Sequence, residues 1–238
     1  MKLSIISHYY NHHDQVRKQI QHWSSMKGFD TKEIEIILID DFSEMSFDPQ
    51  PCNLNIRHIR IDTDIPWNQA GCRNLGAYLA RSEWMLIFDI DQYLNQDAIA
   101  TLVNSTDQLE PNILYYLKCK PIYNSIDDTY ANFHPNSYLV NTDSFRRIGM
   151  YDEDFSGNYG YEDLFLPLAW ERNGGKRTLL DGHIFFDADL PFETNNLNRD
   201  LEQNRKLSLE KLRMLRDLPE ELLWRPNGIL RFTWHELL

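Results

Sequence analysis

Polar and acidic side chains follow three of the apolar runs in the first part of the sequence. The residues at the three ends are His8, Tyr10 and Asn11, then Asp40 and Asp41, and then Asp89 and Asp91. If the runs are parallel strands of one sheet, their carboxyl ends lie on one edge, where open α/β proteins bind ligands. The sequence therefore predicts one acidic site assembled from three distant segments.

Asp89 and Asp91 form a D-x-D pair directly after the apolar run Trp84–Phe88. Two carboxylates in this arrangement are suitable ligands for Mg²⁺ or Mn²⁺, a cation that also binds a diphosphate. Such a cation offsets the charge that develops on a leaving nucleoside diphosphate. The same spacing recurs at three other places, which we interpret as solvated turns: residues 62–64, 152–154 and 187–189.

The elements that would position these residues alternate between apolar strands and amphipathic helices. This alternation predicts an α/β fold with a mostly parallel, twisted, Rossmann-like sheet that is flanked by helices. Strands are predicted at 2–7, 34–39, 56–61, 84–88, 113–117, 137–140 and 178–186. Helices are predicted at 13–25, 68–80, 98–103, 142–147 and 162–172. In the second helix Leu75, Tyr78 and Leu79 should face inward, and Thr142 should cap the fourth.

The composition changes at about Asn195, which predicts a domain of residues 1–194 and a helical extension of residues 195–238 packed on it. The extension contains a charged helix at 197–217 that is ended by Pro219. Four leucines of this helix fall roughly on one face: Leu201, Leu209, Leu212 and Leu215. This face should pack on the domain, although it would also serve as a contact for a partner chain.

Size, charge and cysteine content restrict the class of protein. The chain has 238 residues, enough for one sizeable domain, and a formal net charge of −12, which disfavours binding to nucleic acid. Three widely spaced cysteines without a CxxC pair are typical of a reduced, cytoplasmic protein. We see no signal peptide and no run long enough to span a bilayer, which leaves only peripheral membrane contact.

Five stretches occur in an order that resembles the inverting GT-A glycosyltransferases of the family-2 type. Four of them are Leu3–Asn11 (LSIISHYYN), Ile37–Ser43 (ILIDDFS), Gly71–Gly76 (GCRNLG) and Ile87–Asp91 (IFDID). The fifth, Gly160–Leu164 (GYEDL), is similar to the late ED motif of that group, as in galactosyltransferase-type enzymes. The resemblance covers roughly residues 1–190 and implies a GT-A fold and a nucleotide-sugar donor.

The resemblance assigns the donor nucleotide to the strand ends. Tyr10 would stack on the base with His8 beside it, and Asp40 or Asp41 would accept a hydrogen bond from the base, usually uracil in this family. Arg73 would steady the nucleotide. Two structural alternatives stay open: Tyr10 as a core residue and Arg73 as a surface ion pair.

The resemblance also implies a metal site of Mn²⁺ or Mg²⁺. Asp91 would be the principal ligand, Asp89 would touch the ribose or the metal, and His183 would complete the coordination from a late strand. His183 could equally be structural. Gly71 and Gly76 would permit close approach of the backbone.

Glu162 and Asp163 open a predicted helix after the glycine-rich and aromatic segment Ser156–Tyr161. Acidic residues at this position also complement the helix dipole, which is a purely structural explanation. In the functional interpretation Asp163 is the general base for the acceptor hydroxyl, and Glu162 orients the acceptor. An inverting transfer needs one such base, unlike the paired carboxylates of a glycosidase.

Some residues depart from the family pattern or are not assigned by it. Ser7–Tyr9 replaces a pair that is usually Pro-Thr or similarly small, and we interpret the adjacent His12 and His13 as helix-entry residues. The segment Asp64–Gln69 has no assigned role. Within it, Trp67 either lines the donor pocket or packs under the next helix.

The sequence therefore predicts a metal-dependent inverting transferase that moves a sugar from a UDP-sugar to a hydroxyl acceptor. The acceptor would be a glycan, with a wall formed by the segment Tyr115–Tyr138 and by Trp224 and Trp234. One alternative is a phage-type enzyme acting on a modified nucleic-acid base, favoured only by the mildly basic segment Arg199–Arg216. Another is a non-catalytic protein that binds a nucleotide sugar or a partner.

Overall fold

The computed structural model describes residues 1–26, 30–45, 47, 52–94, 98–119, 133–186 and 197–237, with backbone only at 119 and 181–186. The strands are β1 (Leu3–Tyr9), β2 (Ile34–Asp40), β3 (Ile56–Ile61), β4 (Trp84–Ile87), β5 (Gln92–Leu94), β6 (Ile113–Cys119), β7 (Tyr138–Asn141), β8 (Lys176–Phe186) and β9 (Trp234–Glu236). The helices are α1 (His13–Ser25), α2 (Gln69–Leu79), α3 (Ala98–Ser105), α4 (Thr142–Ile148), α5 (Glu162–Arg172) and α6 (Glu202–Asp217).

All nine strands of the described chain form one sheet, in the order β5-β8-β6-β7-β4-β1-β2-β3-β9. The four strands β4, β1, β2 and β3 are mutually parallel, as predicted. Beyond them β7 runs antiparallel to both β4 and β6, and β9 runs antiparallel to β3. The sheet is therefore mixed rather than mostly parallel, because an apolar run reports burial of a strand but not its direction.

Helices cover both faces of the sheet. On one face Val16 and Trp23 of α1 pack with Leu3 and Ile5. On the other face Ile6 packs with residues of α2, α4 and α5, including the fully buried Trp170. Alternate residues of β1 thus enter opposite core layers, which explains why the central strands are apolar throughout. No helix of the described chain has the length and apolar character needed to cross a bilayer.

The predicted bounds of α1 and α5 are confirmed, whereas two details of other helices are wrong. Tyr78 on α2 is 55% exposed and does not face inward. The cap of α4 is Asn141, whose side-chain oxygen accepts a hydrogen bond from the amide of Ser144 at 3.0 Å, rather than Thr142. Asn141 precedes the first helical residue, where a short polar side chain can reach the free amides.

The C-terminal segment is anchored differently from the prediction. Helix α6 begins at Glu202, and Leu201 and Leu209 are 46% and 50% exposed. Leu212 and Leu215 pack on the domain as predicted, against a cluster that includes Phe155 and Phe165. The other buried residues of α6 are polar, namely Asn204, Ser208 and Lys211. After α6 the chain returns to add β9 beside β3 at the sheet edge. These three residues are polar because they meet carboxylates and backbone carbonyls, which an apolar side chain would leave unpaired.

Candidate active site

The carboxyl ends of the parallel strands turn sharply at residues with left-handed backbone conformation. Asn11 follows β1 (φ 54°), Phe42 follows β2 (φ 62°), and Tyr161 precedes α5 (φ 73°). The first two turns are joined, since the Asn11 amide donates to Ser43 Oγ at 2.9 Å. Asparagine tolerates this conformation, whereas Phe42 and Tyr161 are bulky and strained by it, and such strain concentrates at functional sites. The strained turns mark one rim of the sheet.

Arg73 of α2 joins two of the acidic motifs at this rim. Its Nη2 donates to Asp89 Oδ1 at 3.0 Å, and its Nη1 lies 3.5 Å from Glu162 Oε1. The guanidinium is only 1% exposed and packs over the ring of Tyr151 at 5.3 Å. The alternative of a surface ion pair is therefore wrong. Arg73 links carboxylates that are far apart in the sequence into one buried charge cluster.

The cluster carries more negative than positive charge. Burial raises the pKa of Glu162 and of Asp163, although the nearby Arg73 offsets part of this effect. Burial also acts on Asp89, but Arg73 and neighbouring histidines outweigh it and lower the pKa of that carboxyl. Burial and Arg73 lower the pKa of His8 to about 4, so its imidazole is neutral at pH 7. One guanidinium thus lies among three carboxyl groups, and the two on α5 hold raised pKa values.

The structure distinguishes between the two candidate base-binding aspartates. Asp40 is fully buried and accepts hydrogen bonds from Arg60 and from the Ser43 amide, so its oxygens hold the turn after β2. Asp41 lies near Asn68, whose Nδ2 is 3.4 Å away, and burial raises the pKa of Asp41 to about 7. Of the two, Asp41 is the candidate whose carboxylate is not committed to an arginine.

Tyr10 and the two glycines occupy different surroundings. Tyr10 is half-buried at the end of β1, and burial with the charge of Asp64 raises its pKa. A Cβ on Gly71 would lie 2.7 Å from Phe232, and one on Gly76 would lie 2.2 Å from a methyl of Ile6. The glycines therefore permit close packing of α2 against Ile6 and Phe232. The contribution of Gly71 to nucleotide binding stays a prediction.

The metal candidates are only partly described. Asp91 is half-buried and directly precedes β5, two residues after Asp89. The backbone of His183 pairs with Lys118 in the sheet, but its side chain lies outside the described residues. Within the described part of the chain, no three His, Cys, Asp or Glu side chains form a group that could hold a metal. The two carboxylates of the D-x-D pair are hard oxygen ligands, which suit Mg²⁺ or Mn²⁺.

Sequence reasoning missed a histidine at this rim. His134 Nδ1 lies 3.8 Å from Asp89 Oδ2 and 2.9 Å from Nε2 of the buried Gln92. Residues 124–136 carry no periodic pattern, so nothing in the sequence alone indicates that His134 returns to Asp89. Of that stretch, residues 124–132 lie outside the described part of the chain.

Part of the predicted acceptor wall is buried, whereas Phe133 is 39% exposed and Trp234 is partly exposed. Tyr115, Tyr116 and Tyr138 are buried in the two core layers. Trp224 is also buried and packs edge-on against Phe165 at 5.3 Å. These rings fill the interior, and they offer no exposed face to a ligand.

The acidic stretch at 152–154 is not a solvated turn. Asp152 and Asp154 both bind the buried Lys211 of α6, at 2.7 and 2.8 Å. Glu153 accepts hydrogen bonds from Asn74 Nδ2 and from the Leu230 amide, both at 2.8 Å. This stretch therefore anchors the C-terminal segment. Asp62 contacts His235 at 2.7 Å, and residues 187–189 lie outside the described part.

Comparison with known proteins places these features in a family. The sequence profile described as Glycosyl transferase family 2 matches residues 4–160, which include the D-x-D pair and Arg73. No curated protein matches the chain.

Solved structures of low sequence identity share the fold. Residues 1–349 of Staphylococcus aureus TarS, in complex with UDP-GlcNAc, superpose with a TM-score of 0.67 at 15% identity, over 92% of this chain and 68% of that one. GalNAc-T7, solved with UDP, GalNAc and Mn²⁺, superposes with a TM-score of 0.61 at 14% identity, over 78% of this chain and 44% of that one. This chain spans 41% of the longer TarS structure. The profile match over residues 4–160, more than half of the chain, means that this chain belongs to glycosyl transferase family 2, as a glycosyltransferase with a GT-A fold.

Proposed function

We propose that the chain transfers a sugar from a UDP-sugar to the hydroxyl group of an acceptor, with inversion at the sugar carbon. The observation that supports this proposal is the buried cluster in which Arg73 contacts both Asp89 and Glu162 at one rim of the sheet. UDP-GlcNAc is bound in the TarS structure and UDP in that of GalNAc-T7, and both share this fold. The donor class follows from that likeness and from the nucleotide-binding candidates at the strand ends.

The donor would lie along the rim. In this proposal Tyr10 stacks on the base, with His8 beside it, and Asp41 accepts a hydrogen bond from the base. Several buried side-chain polar atoms of the described residues have no hydrogen-bond partner, and three of them lie on or beside α2: Asn68 Oδ1, Arg73 Nε and Arg73 Nη1. Buried polar atoms are rarely left unpaired, so these three support a polar ligand between α2 and the strand ends.

A divalent cation would be held by Asp89 and Asp91, with His183 as the third candidate ligand. The excess of carboxylates over guanidinium in the cluster and the hard oxygen donors fit Mg²⁺ or Mn²⁺. When bound, such an ion neutralises the charge that develops on the departing diphosphate. Metal dependence is tested directly by measuring transfer after chelation with EDTA and after addition of Mn²⁺.

Asp163 would remove the proton from the attacking hydroxyl. Its raised pKa makes the carboxylate a stronger base than an exposed aspartate, which favours proton abstraction near neutral pH. Glu162 is almost fully buried beside Arg73, so its carboxyl is better placed to fix the first turn of α5 than to exchange protons with solvent. In this mechanism Glu162 orients the acceptor, and Asp163 accepts the proton of its hydroxyl group.

The deciding experiment compares Asp163→Asn with Glu171→Gln, a partly exposed position on the same helix. UDP-sugars are screened for turnover, with UDP release as the readout, and UDP binding is measured by thermal shift. A ligand at 100 times its Kd adds about 2.7 kcal/mol to stability. We expect Asp163→Asn to lose roughly 100-fold or more in turnover with unchanged UDP binding. Turnover that persists in this variant would rule out Asp163 as the base.

No structural observation favours the nucleic-acid alternative. On α6 Arg205 and Lys206 contact Glu202, and Arg216 contacts Asp217, so much of the basic charge of this helix is paired. A DNA mobility-shift assay at two salt concentrations would detect the alternative as tight, salt-sensitive binding.

A further inference from the structure

A cavity of about 460 Å³ lies between the turn that precedes α2 and the loop that precedes α5, and none of the donor-binding candidates lines it. Its walls come from three segments, around Pro66 and Trp67, around Gly157 and Tyr159, and from residues 197–203. This volume falls within the range of about 300–1,000 Å³ that is usual for small-molecule sites. The third wall belongs to the C-terminal segment, beyond the 4–160 match to the family.

Two partly exposed aromatic rings form one side of this cavity. Trp67 and Tyr159 contact each other with ring centroids 4.6 Å apart, and the Arg199 guanidinium packs over both rings at 5.8 and 5.5 Å. Trp67 Nε1 donates to the carbonyl of Asn198 at 2.7 Å, which ties the ring to the C-terminal wall. The rings are therefore held as one surface.

The backbone at Trp67 is strained to place its ring there. Trp67 has φ 52°, a left-handed conformation that bulky residues rarely adopt. The carbonyl of the preceding Pro66 accepts a hydrogen bond from the Gly157 amide at 2.8 Å, which links this turn to the opposite wall. Such strain persists only where surrounding contacts hold it, and it clusters at binding and catalytic sites.

The chemistry of the lining selects the ligand. Asn158 and Gln203 supply amide donors and acceptors, and Asp200 supplies an acceptor. Asp200 is the one charged side chain among the described residues that line the cavity, and the Arg199 guanidinium lies beside it over the two rings. These opposite charges offset each other, so the cavity offers no net positive charge to a phosphate or diphosphate. An aromatic surface surrounded by neutral polar groups suits an uncharged polyhydroxylated ring, whose apolar face can pack on the aromatic rings while its hydroxyls bond the rim.

The cavity and the proposed base are joined by one loop. Tyr159 lies four residues before Asp163, and the loop between them is held by Asn204 of α6. Asn204 Nδ2 lies 2.9 Å from the carbonyls of Phe155 and Asn158 and 2.8 Å from that of Gly160. A ligand seated against Tyr159 would therefore contact the loop that carries Glu162 and Asp163.

We propose that this cavity is the acceptor subsite and that it takes an uncharged carbohydrate, stacked on Trp67 and Tyr159. The inference rests on the proposed function, because it assigns the second substrate of the same reaction. It also assigns acceptor choice in part to the C-terminal segment, whose Asn198, Asp200 and Gln203 form one wall.

The test titrates methyl glycosides of glucose, galactose, mannose, N-acetylglucosamine and N-acetylgalactosamine into the protein saturated with UDP. Binding is followed by saturation-transfer NMR and tryptophan fluorescence in wild type, Tyr159→Ala and Tyr78→Ala. Tyr78 is a matched control, since it is an exposed tyrosine near the far end of α2 from Arg73. We expect at least one glycoside to bind wild type and Tyr78→Ala, and to bind Tyr159→Ala about tenfold more weakly.

Three results would overturn the subsite: no glycoside binds wild type, binding is equal in Tyr159→Ala, or glucose 1-phosphate binds more tightly than every glycoside. If Tyr159→Ala does not fold, Gln203→Ala replaces it, because Gln203 is exposed on α6 and alanine favours helix. There the expected loss is about threefold to tenfold, as for one hydrogen bond. UDP binding by wild type is measured in parallel. Its absence would refute the proposed function, whereas UDP binding without glycoside binding would refute only the subsite.

Discussion

Replacement of Arg73 by methionine tests whether the acidic rim is held together by one buried charge. The substitution keeps a long side chain in a site that is 1% exposed, but it removes the partner of Asp89 and Glu162. Removing one partner of a buried ion pair costs about 3–5 kcal/mol, since the other charge stays buried and uncompensated. For a chain of this size, each kcal/mol lowers the unfolding temperature by about 2–4 °C, so we expect a fall of roughly 6–20 °C.

The pH dependence separates this explanation from simple loss of packing. Without Arg73 the folded-state pKa of Asp89 rises above its unfolded value, and the pKa of Glu162, which burial already raises, rises further. The folded variant then binds more protons than the unfolded chain, so its stability falls as pH rises through this range. The deficit relative to wild type should therefore be larger at pH 8 than at pH 5.5, as measured by thermal unfolding followed by circular dichroism.

Two control variants separate the loss of charge at position 73 from the loss of packing. Arg216→Met removes an arginine from an exposed pair with Asp217 and should leave the unfolding temperature unchanged. Arg73→Lys keeps the positive charge but loses the planar guanidinium that can bind two carboxylates. Its loss of thermal stability relative to wild type should be smaller than that of Arg73→Met and nearly independent of pH. An equal deficit at both pH values in Arg73→Met, or no deficit, would refute the view that charge rather than packing makes Arg73 essential.

Three further predictions address other parts of the chain. Burial raises the pKa of Asp41 to about 7 from its ordinary 3.8, so wild type should lose stability as pH rises from about 4 to 7. Asp41→Asn should remove that loss, worth at most roughly 4 kcal/mol at pH 8, and should weaken UDP binding in calorimetry. Lys211→Met leaves Asp152 buried without its cation, so limited proteolysis should cleave within α6 much faster than in the exposed-site control Lys206→Met. Asn204→Asp cannot donate to the three carbonyls of the loop at 155–160, so turnover should fall while UDP affinity stays unchanged.

Local patterns were sufficient for much of the fold. The bounds of α1 and α5 follow from helical spacing and from the Gly174-Gly175 stop. That β1 to β4 run parallel is predicted by the alternation of apolar runs with helices, although the described residues between β2 and β3 form no helix. Polar residues at strand ends pointed to one rim because parallel neighbours end on the same side, a rule that needs no knowledge of side-chain contacts.

Other features could not be predicted because they depend on distant partners. The inward face of α6 contains Asn204 and Lys211, which look like solvent residues in the sequence. They are buried only because carbonyls and the carboxylates of 152–154 face them. His134 approaches Asp89, and β9 pairs with β3, without any local signal. Periodicity reports which side of an element is buried when the partner is apolar, and it fails when the partner is polar.

The amino-acid sequence by itself determined the fold class, the enzyme family and the carboxylates that could act, because each depends on residue types at short spacing. Only the tertiary structure decided which of those carboxylates share a site, and which of the two aspartates at the end of β2 is committed to an arginine. It also decided which aromatic rings face a cavity rather than the core. These outcomes depend on contacts between residues far apart in the chain, and the energy of a buried charge or ring is set by such neighbours.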